Sequence, residues 1–150
     1  LAEFPSGATV LVRVQAEVAP GFGAPPGSRV YGVPSAKAAW HARLSLAGQV
    51  PRAVFWPVPN VDSLLVAFTR NVPARAGSRA GTFAVIDAAF AQRRKTLRNS
   101  VLSATGWPAD ALDEALLAAR VDGRLRAETL TCDEYLTLAA EIASRVSIFD

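Results

Sequence analysis

The side chains in this sequence best suited to binding a charged ligand are four cations within residues 91–100, namely Arg93, Arg94, Lys95 and Arg98. Apolar residues recur around them at helical spacing, which predicts one amphipathic helix docked on a core. That apolar stripe consists of Phe83, Ile86, Phe90, Leu97 and Val101. Cations fixed along a docked helix suit a polyanion, because each neutralised phosphate releases condensed counterions. A solvated basic face without a ligand is the alternative interpretation.

The charges are distributed unevenly along the chain. Residues 70–98 carry seven basic side chains and a single acidic one, Asp87, whereas residues 99–150 carry four basic and nine acidic side chains. A basic block beside an acidic region predicts a nucleic-acid face on one side of a helical lobe. Some of the cations could instead pair with acidic groups inside that lobe, with Arg93 the first candidate.

A second notable stretch, residues 53–63, is stiffened by alternating prolines. Pro57 and Pro59 hold the backbone near polyproline II geometry and forbid a helix there. We therefore expect a short extended run at 53–56 and a strand at 63–69, paired like a hairpin at a sheet edge, where proline is tolerated. Phe55 and Trp56 would then alternate between core and surface.

Composition excludes several classes of protein. The single cysteine, Cys132, rules out an internal disulfide, and the single histidine, His41, leaves few possible zinc sites. We expect His41 to have no chemical role. No apolar run approaches the ~20 residues of a membrane span, and no signal peptide is visible, so a cytoplasmic location is expected. The chain has no methionine, which suggests a piece of a longer protein.

The pattern of elements indicates an α/β chain. Residues 10–14 are a β-branched run of the kind buried in a parallel sheet, residues 20–34 form a Pro/Gly-rich loop, and residues 35–46 have helical spacing. Helices follow from residue 82 onward. Gly106 should end the basic helix, and Thr131 with Glu134 should form a capping box for the last one. The predicted division is 1–72, a linker at 73–81, and a helical lobe at 82–150.

Five motifs, in order, resemble one known family. Residues 55–63 (FWPVPNVDS) resemble the F-x-P-x-P-x-V-x-S motif of adenine-N6 rRNA methyltransferases, and residues 90–99 resemble the F-x-Q-R-R-K-T-L-R-N helix of the KsgA-type dimethyladenosine transferases, which modify small-subunit rRNA. Weaker matches lie at residues 14–19 (V-Q-x-E-V-A), 26–35 (P-G-S-x-x-Y-G-x-x-S) and 126–130 (R-x-E-x-L).

The resemblance implies the C-terminal part of a Rossmann-like class I methyltransferase sheet followed by a small all-α lobe. It also implies that the methyl donor, S-adenosylmethionine, is bound by an N-terminal part, because the family's Gly-rich loop and N-L-P-Y-type motif do not occur in this sequence. The residues implied to form the target-adenine pocket are Phe55, Pro57 and Pro59, and those implied to contact the rRNA backbone are Arg93, Arg94, Lys95 and Arg98.

The expected partners are small-subunit rRNA and the pre-30S ribosomal subunit, with a monomeric protein and neither membrane nor metal. The segment alone is expected to be inactive. Three alternatives remain at this point: an antibiotic-resistance type of large-subunit rRNA adenine methyltransferase, a non-catalytic RNA-binding or ribosome-assembly module, and a helical interaction domain without a nucleic-acid partner.

Overall fold

The computed structural model describes residue 5 and residues 7–70 and 78–146. In chain order the elements are β1 (Thr9–Gln15), α1 (Ala19–Gly23), α2 (Val33–His41), β2 (Ala42–Val50), β3 (Ser63–Arg70), α3 (Arg79–Phe90), α4 (Leu97–Thr105), α5 (Ala109–Ala119) and α6 (Cys132–Ala143). The predicted α/β class is confirmed. Residues 73–77 of the predicted linker lie outside the described residues, and its last three residues already belong to α3.

The three strands form one antiparallel sheet in the order β1-β3-β2. The prediction of an edge hairpin was wrong in two respects. Residues 52–54 form a single 3-10 turn rather than a strand, and β3 is the central strand, paired with β2 on one side and β1 on the other. The prolines therefore lie in the connection between β2 and β3, where they remove no hydrogen bond from the sheet.

The strand predicted at residues 10–14 is present, but among the described residues it is neither buried nor part of a parallel sheet. Among the described residues β1 pairs only with β3, in antiparallel register with Val12 opposite Val66. Leu11 is 56% exposed, because neither its face nor the outer edge of β1 is covered by another described element.

The helix predicted over residues 35–46 divides into a helix and a strand. α2 ends at His41, and the next residue, Ala42, adopts extended backbone and opens β2. The spacing of Ala36, Ala39, Trp40 and Leu44 fits a helix. However, Leu44 and Leu46 also alternate as a strand requires, and pairing with β3 decides between the two.

The principal core lies in the helical half of the chain. The predicted stripe is buried at Ile86, Phe90, Leu97 and Val101, and Phe83 packs partly buried against the same cluster. The predicted continuous helix was nevertheless wrong, because α3 ends at Phe90 and α4 begins at Leu97. Thr96 accounts for the new start, since its hydroxyl accepts a hydrogen bond from the backbone N–H of Asn99 as an N-cap residue does.

The predicted helix ends are confirmed. Gly106 closes α4 in the left-handed conformation, with φ +69°, which suits a residue without a side chain. Thr131 and Glu134 form the capping box of α6. The inner face of α6 is buried at Tyr135, Leu138, Ala139 and Ile142, and Val146 packs partly buried beside it.

Tyr31 joins the loop before α2 to the helical core. Its side chain is 2% exposed, and its ring centroid lies 6.2 Å from that of Phe90. The phenol donates a 2.9 Å hydrogen bond to the carbonyl oxygen of Leu130. Burial is the main cause that raises the pKa of Tyr31 to about 12. The loop is therefore fixed against the helical core through one aromatic side chain.

Candidate nucleic-acid interface

Three of the four predicted RNA-binding cations lie in the turn between α3 and α4, residues 91–96, which we call the basic turn. Arg93, Arg94 and Lys95 are exposed there. The turn is closed by a 2.9 Å hydrogen bond from the backbone N–H of Lys95 to the carbonyl oxygen of Gln92. Among the described residues, no carboxylate lies within ion-pair distance of these three side chains. The basic turn thus presents charge that the described part of the chain leaves unneutralised.

The guanidinium of Arg93 makes one contact that the sequence does not reveal. Its Nη2 donates a 2.9 Å hydrogen bond to the backbone carbonyl oxygen of Tyr31. The alternative interpretation, in which Arg93 pairs with an acidic group, is not observed among the described residues. This bond leaves most guanidinium donors of Arg93 available for a ligand, because a guanidinium carries five N–H groups.

Arg98 is the cation that does pair with a carboxylate. Its Nε and Nη2 donate to Oδ1 and Oδ2 of Asp113 at 2.5 and 2.8 Å, a bidentate geometry. These hydrogen bonds lower the pKa of Asp113 and raise the pKa of Arg98. Arg98 lies on the first turn of α4, so the pair ties that turn to α5.

The loop from residue 121 to 126 covers the start of α4. The backbone N–H groups of Leu97 and Arg98, which have no partner within the helix, donate to the carbonyl oxygens of Leu125 (2.7 Å) and Gly123 (3.0 Å). A side chain at Gly123 would meet Leu116 and Arg98, at 2.9 and 3.2 Å from its first carbon. Glycine is therefore what lets the loop approach so closely.

Phe55 lies in the connection between β2 and β3. It is half-buried, while the adjacent indole of Trp56 is 94% exposed and the bond from Trp56 to Pro57 is cis. Arg52 braces the connection, since its backbone N–H donates to Oδ1 of Asp62 at 2.8 Å. Pro57 is exposed and Pro59 is half-buried.

One face of the Phe55 ring is occupied by Arg13 of β1. The guanidinium carbon lies 4.8 Å from the ring centroid, within the range of a cation–π contact. Nη1 of the same guanidinium donates a 3.0 Å hydrogen bond to the hydroxyl of Ser63, which is buried. Sequence reasoning missed this pairing, because no local pattern links a residue of β1 to one in the β2–β3 connection.

The predicted residues therefore form two separate groups. Phe55 interacts with the sheet, and the cations interact with the helical half; no hydrogen bond, ion pair or ring contact among the described residues joins them. Two clefts in the described part, each about 390 Å³, are lined by none of the seven predicted site residues. A ligand of these residues would lie on an exposed surface.

Other potentially reactive groups have packing roles. His41 lies edge-on to Phe83, with centroids 5.9 Å apart, and burial is the main cause that lowers its pKa. Burial likewise raises the pKa of Cys132 to about 11, so its thiol is protonated at neutral pH. Across residues 7–70 and 78–146, no three His, Cys, Asp or Glu side chains are grouped to hold a metal, and no helix there has the length and apolarity to cross a membrane.

A family model and individual relatives both match the sequence of this chain. The family model described as ribosomal RNA adenine dimethylase matches residues 3–144. Proteins named ribosomal RNA small subunit methyltransferase A are similar: the one from Kineococcus radiotolerans is 55% identical over 93% of this chain and 47% of its own length. That from Thermobifida fusca is 55% identical over 86% of this chain and 45% of its own. The chain thus spans about half the length of these relatives.

Two solved structures share the fold. A dimethyladenosine transferase from Plasmodium falciparum aligns with a TM-score of 0.79 and 18% identity, covering 91% of this chain and 58% of that one. The 23S rRNA methyltransferase ErmE aligns with a TM-score of 0.60 and 21% identity, covering 90% and 55% respectively. The strands and helices of this chain are therefore arranged as in the matched parts of these two structures.

Proposed function

Because this chain belongs to the ribosomal RNA adenine dimethylase family, we propose that it forms the base-binding and RNA-binding portion of an enzyme that methylates N6 of adenines in small-subunit rRNA. The relatives that are 55% identical are named for the small subunit, which favours that substrate over large-subunit rRNA. The structural observation that carries the proposal is the basic turn, which exposes Arg94 and Lys95 without a neutralising carboxylate in the described part of the chain.

We propose S-adenosylmethionine as the methyl donor, bound by a portion of the relatives' length that this chain does not cover. The residues present do not fit the donor: the junction of β1 with α1 contains no glycine, and the sequence has no G-x-G-x-x-G run. The 150-residue chain alone should therefore transfer no labelled methyl group to immature small subunits. Robust transfer by this chain would contradict the assignment of the donor site elsewhere.

What this chain supplies, in the proposal, is binding and orientation. An enzyme that acts on a base in a folded RNA must extrude that base and hold it against a flat partner. Phe55 is placed for that role because Pro57, Pro59 and the bonds of Arg52 restrict its backbone. Residues 1–72 would belong to the catalytic domain and residues 82–150 to the RNA-binding lobe, with residues 73–81 between them.

Arg93, Arg94 and Lys95 would contact rRNA phosphates, which position the enzyme without reading sequence. Arg98 was predicted to do the same, but its donors on Nε and Nη2 are engaged by Asp113. We therefore propose that Arg98 acts mainly by fixing the start of α4 beneath the basic turn. The pre-30S subunit is the proposed assembly on which a monomeric, cytoplasmic enzyme would act.

The experiment that tests the RNA-binding role measures the affinity of this chain for small-subunit rRNA over a range of salt concentrations. We expect Arg94→Gln and Lys95→Gln each to weaken binding on the order of tenfold at low salt, with a salt slope smaller by roughly one, because each removes about one phosphate contact. Arg98→Gln should have a smaller effect. Arg43→Gln, an exposed cation on β2, is the matched control.

Together with binding to large-subunit rRNA and a methyl-transfer assay, the experiment distinguishes three outcomes. An unchanged slope in both turn variants would contradict the RNA-binding role and favour a helical interaction domain. Equal or tighter binding to large-subunit rRNA would favour the large-subunit alternative. Specific binding combined with no methyl transfer, even by the longer protein that carries this sequence, would favour a non-catalytic assembly module.

A further inference from the structure

We infer that Arg13 is a positioning residue for the target base: it holds the ring of Phe55 so that one face is occupied by its guanidinium and the other is left for a purine. This inference rests on the proposed function, since it assumes that Phe55 forms a wall of the adenine pocket. The position of Arg13 within an otherwise apolar strand, Val10–Val14, gave no indication of such a role from sequence.

The side chain of Arg13 is anchored from the sheet. In the antiparallel register Arg13 lies opposite Leu65, two residues along β3 from Ser63, so Arg13 and Ser63 project from the same face. Ser63 is 2% exposed, and a buried hydroxyl requires a hydrogen-bond partner. Nη1 of Arg13 supplies that bond at 3.0 Å, which anchors one end of the guanidinium to the sheet.

The anchored guanidinium in turn orients the Phe55 ring. Its carbon lies 4.8 Å from the ring centroid, where the negative face of the ring attracts the cation. No other cation or aromatic ring contacts Phe55 among the described residues. Among the described residues, the charged or aromatic group that orients the ring is therefore Arg13, which is itself hydrogen-bonded to the central strand β3.

This arrangement separates positioning from binding to the RNA backbone. A planar ring held at a set angle stacks well on one extruded base, whereas a freely rotating ring must be ordered at each encounter. If Arg13 instead contacted a phosphate, its removal would weaken RNA binding and lower the salt dependence of that binding. The two roles predict changes in different kinetic constants.

The test compares Arg13→Leu, Phe55→Ala and the double variant in methyl transfer by the longer protein that carries this sequence. We expect Arg13→Leu to lower kcat about tenfold and to leave KM and the salt slope unchanged, because the Phe55 ring loses its fixed orientation toward the extruded base while phosphate contacts remain. Arg13→Lys should recover part of kcat. The double variant should fall no lower than Phe55→Ala, because both changes remove the same contact. Arg43→Leu is the matched control.

Other results of this comparison contradict either the role of Arg13 or the role of Phe55. If Phe55→Ala lowers kcat and Arg13→Leu does not, the positioning role fails and the proposed function stands. Additive losses, or a raised KM with a reduced salt slope, likewise overturn the role of Arg13. If Phe55→Ala leaves kcat unchanged, the proposed role of Phe55 fails, and the role of Arg13 fails with it. In the 150-residue chain, a ring-current shift of the Arg13 Hε resonance that disappears in Phe55→Leu reports the contact independently of activity.

Discussion

Replacing Tyr31 with alanine should lower the free energy of unfolding by about 3–5 kcal/mol, as for other large buried aromatic side chains. The side chain is 2% exposed and packs against Phe90, so its removal leaves a cavity at the junction of the α2 loop and the helical core. It also removes the donor to the carbonyl oxygen of Leu130. Chemical denaturation followed by circular dichroism measures the loss.

Tyr31→Phe separates the hydrogen bond from the packing. The ring remains, but the carbonyl oxygen of Leu130 loses its 2.9 Å donor, which should cost about 1–3 kcal/mol.

The phenol of Tyr31 also makes the free energy of unfolding depend on pH. Its pKa is raised from 10.0 to about 12 in the folded state, so its contribution is complete below pH 10 and is lost as the pH rises toward 12. Tyr31→Phe should reduce that alkaline loss, and part of it should remain because burial also raises the pKa values of Cys132 and Tyr135. An equal loss in both proteins would assign it to groups other than Tyr31.

The effect of Tyr31→Ala should extend to the basic turn. Arg93 donates to the backbone carbonyl oxygen of Tyr31, so a displaced loop deprives Arg93 of its anchor. We expect weaker RNA binding in Tyr31→Ala than in Tyr31→Phe, even under conditions where both variants remain folded. Equal affinities would show that the loop does not position Arg93.

The sequence predicts most of the helical lobe because burial there follows local spacing. Ile86, Phe90, Leu97 and Val101 were expected on one face and are buried together, although a turn separates the first two from the last two. The turn itself was missed because residues 91–95 are mostly good helix formers and contain neither glycine nor proline. Thr96 was the available signal, as an N-cap residue within an apparently continuous helix.

The sheet half and the candidate site were less predictable because they depend on contacts between distant residues. The sequence of β2 fits a continuation of α2, and only its pairing with β3 shows that it is a strand. The contact of Arg13 with Phe55, and the carbonyl oxygens of residues 123 and 125 at the start of α4, likewise arise only when separate segments meet. Family motifs indicated which residues to consider, but not that Arg98 pairs with Asp113 while Arg94 and Lys95 remain exposed.

Replacing Ser100 with alanine should lower the free energy of unfolding by about 2–4 kcal/mol, a large effect for the loss of one hydroxyl. Ser100 is 0% exposed and lies beneath the basic turn. Its hydroxyl donates to the carbonyl oxygen of Ala88 at 2.8 Å and accepts from the backbone N–H of Gln92 at 3.1 Å. The buried carbonyl oxygen of Ala88 and the N–H of Gln92 therefore each lose a hydrogen-bond partner. The carbonyl oxygen of Ala88 retains only a long 3.4 Å bond from the N–H of Ala91.

Ser103→Ala is the matched control, because its hydroxyl also bonds to Gln92 but at the surface. It accepts from the side-chain amide of Gln92 at 2.9 Å, and water can replace it. We expect Ser103→Ala to change stability by less than about 0.5 kcal/mol, and only Ser100→Ala to speed hydrogen exchange at Gln92. Because the hydroxyl of Ser100 links the end of α3 to α4, its loss should also weaken RNA binding through the loosened turn. Equal stability in the two variants would mean that water satisfies the Ser100 site and that the other hydrogen bonds of the turn are sufficient to hold it.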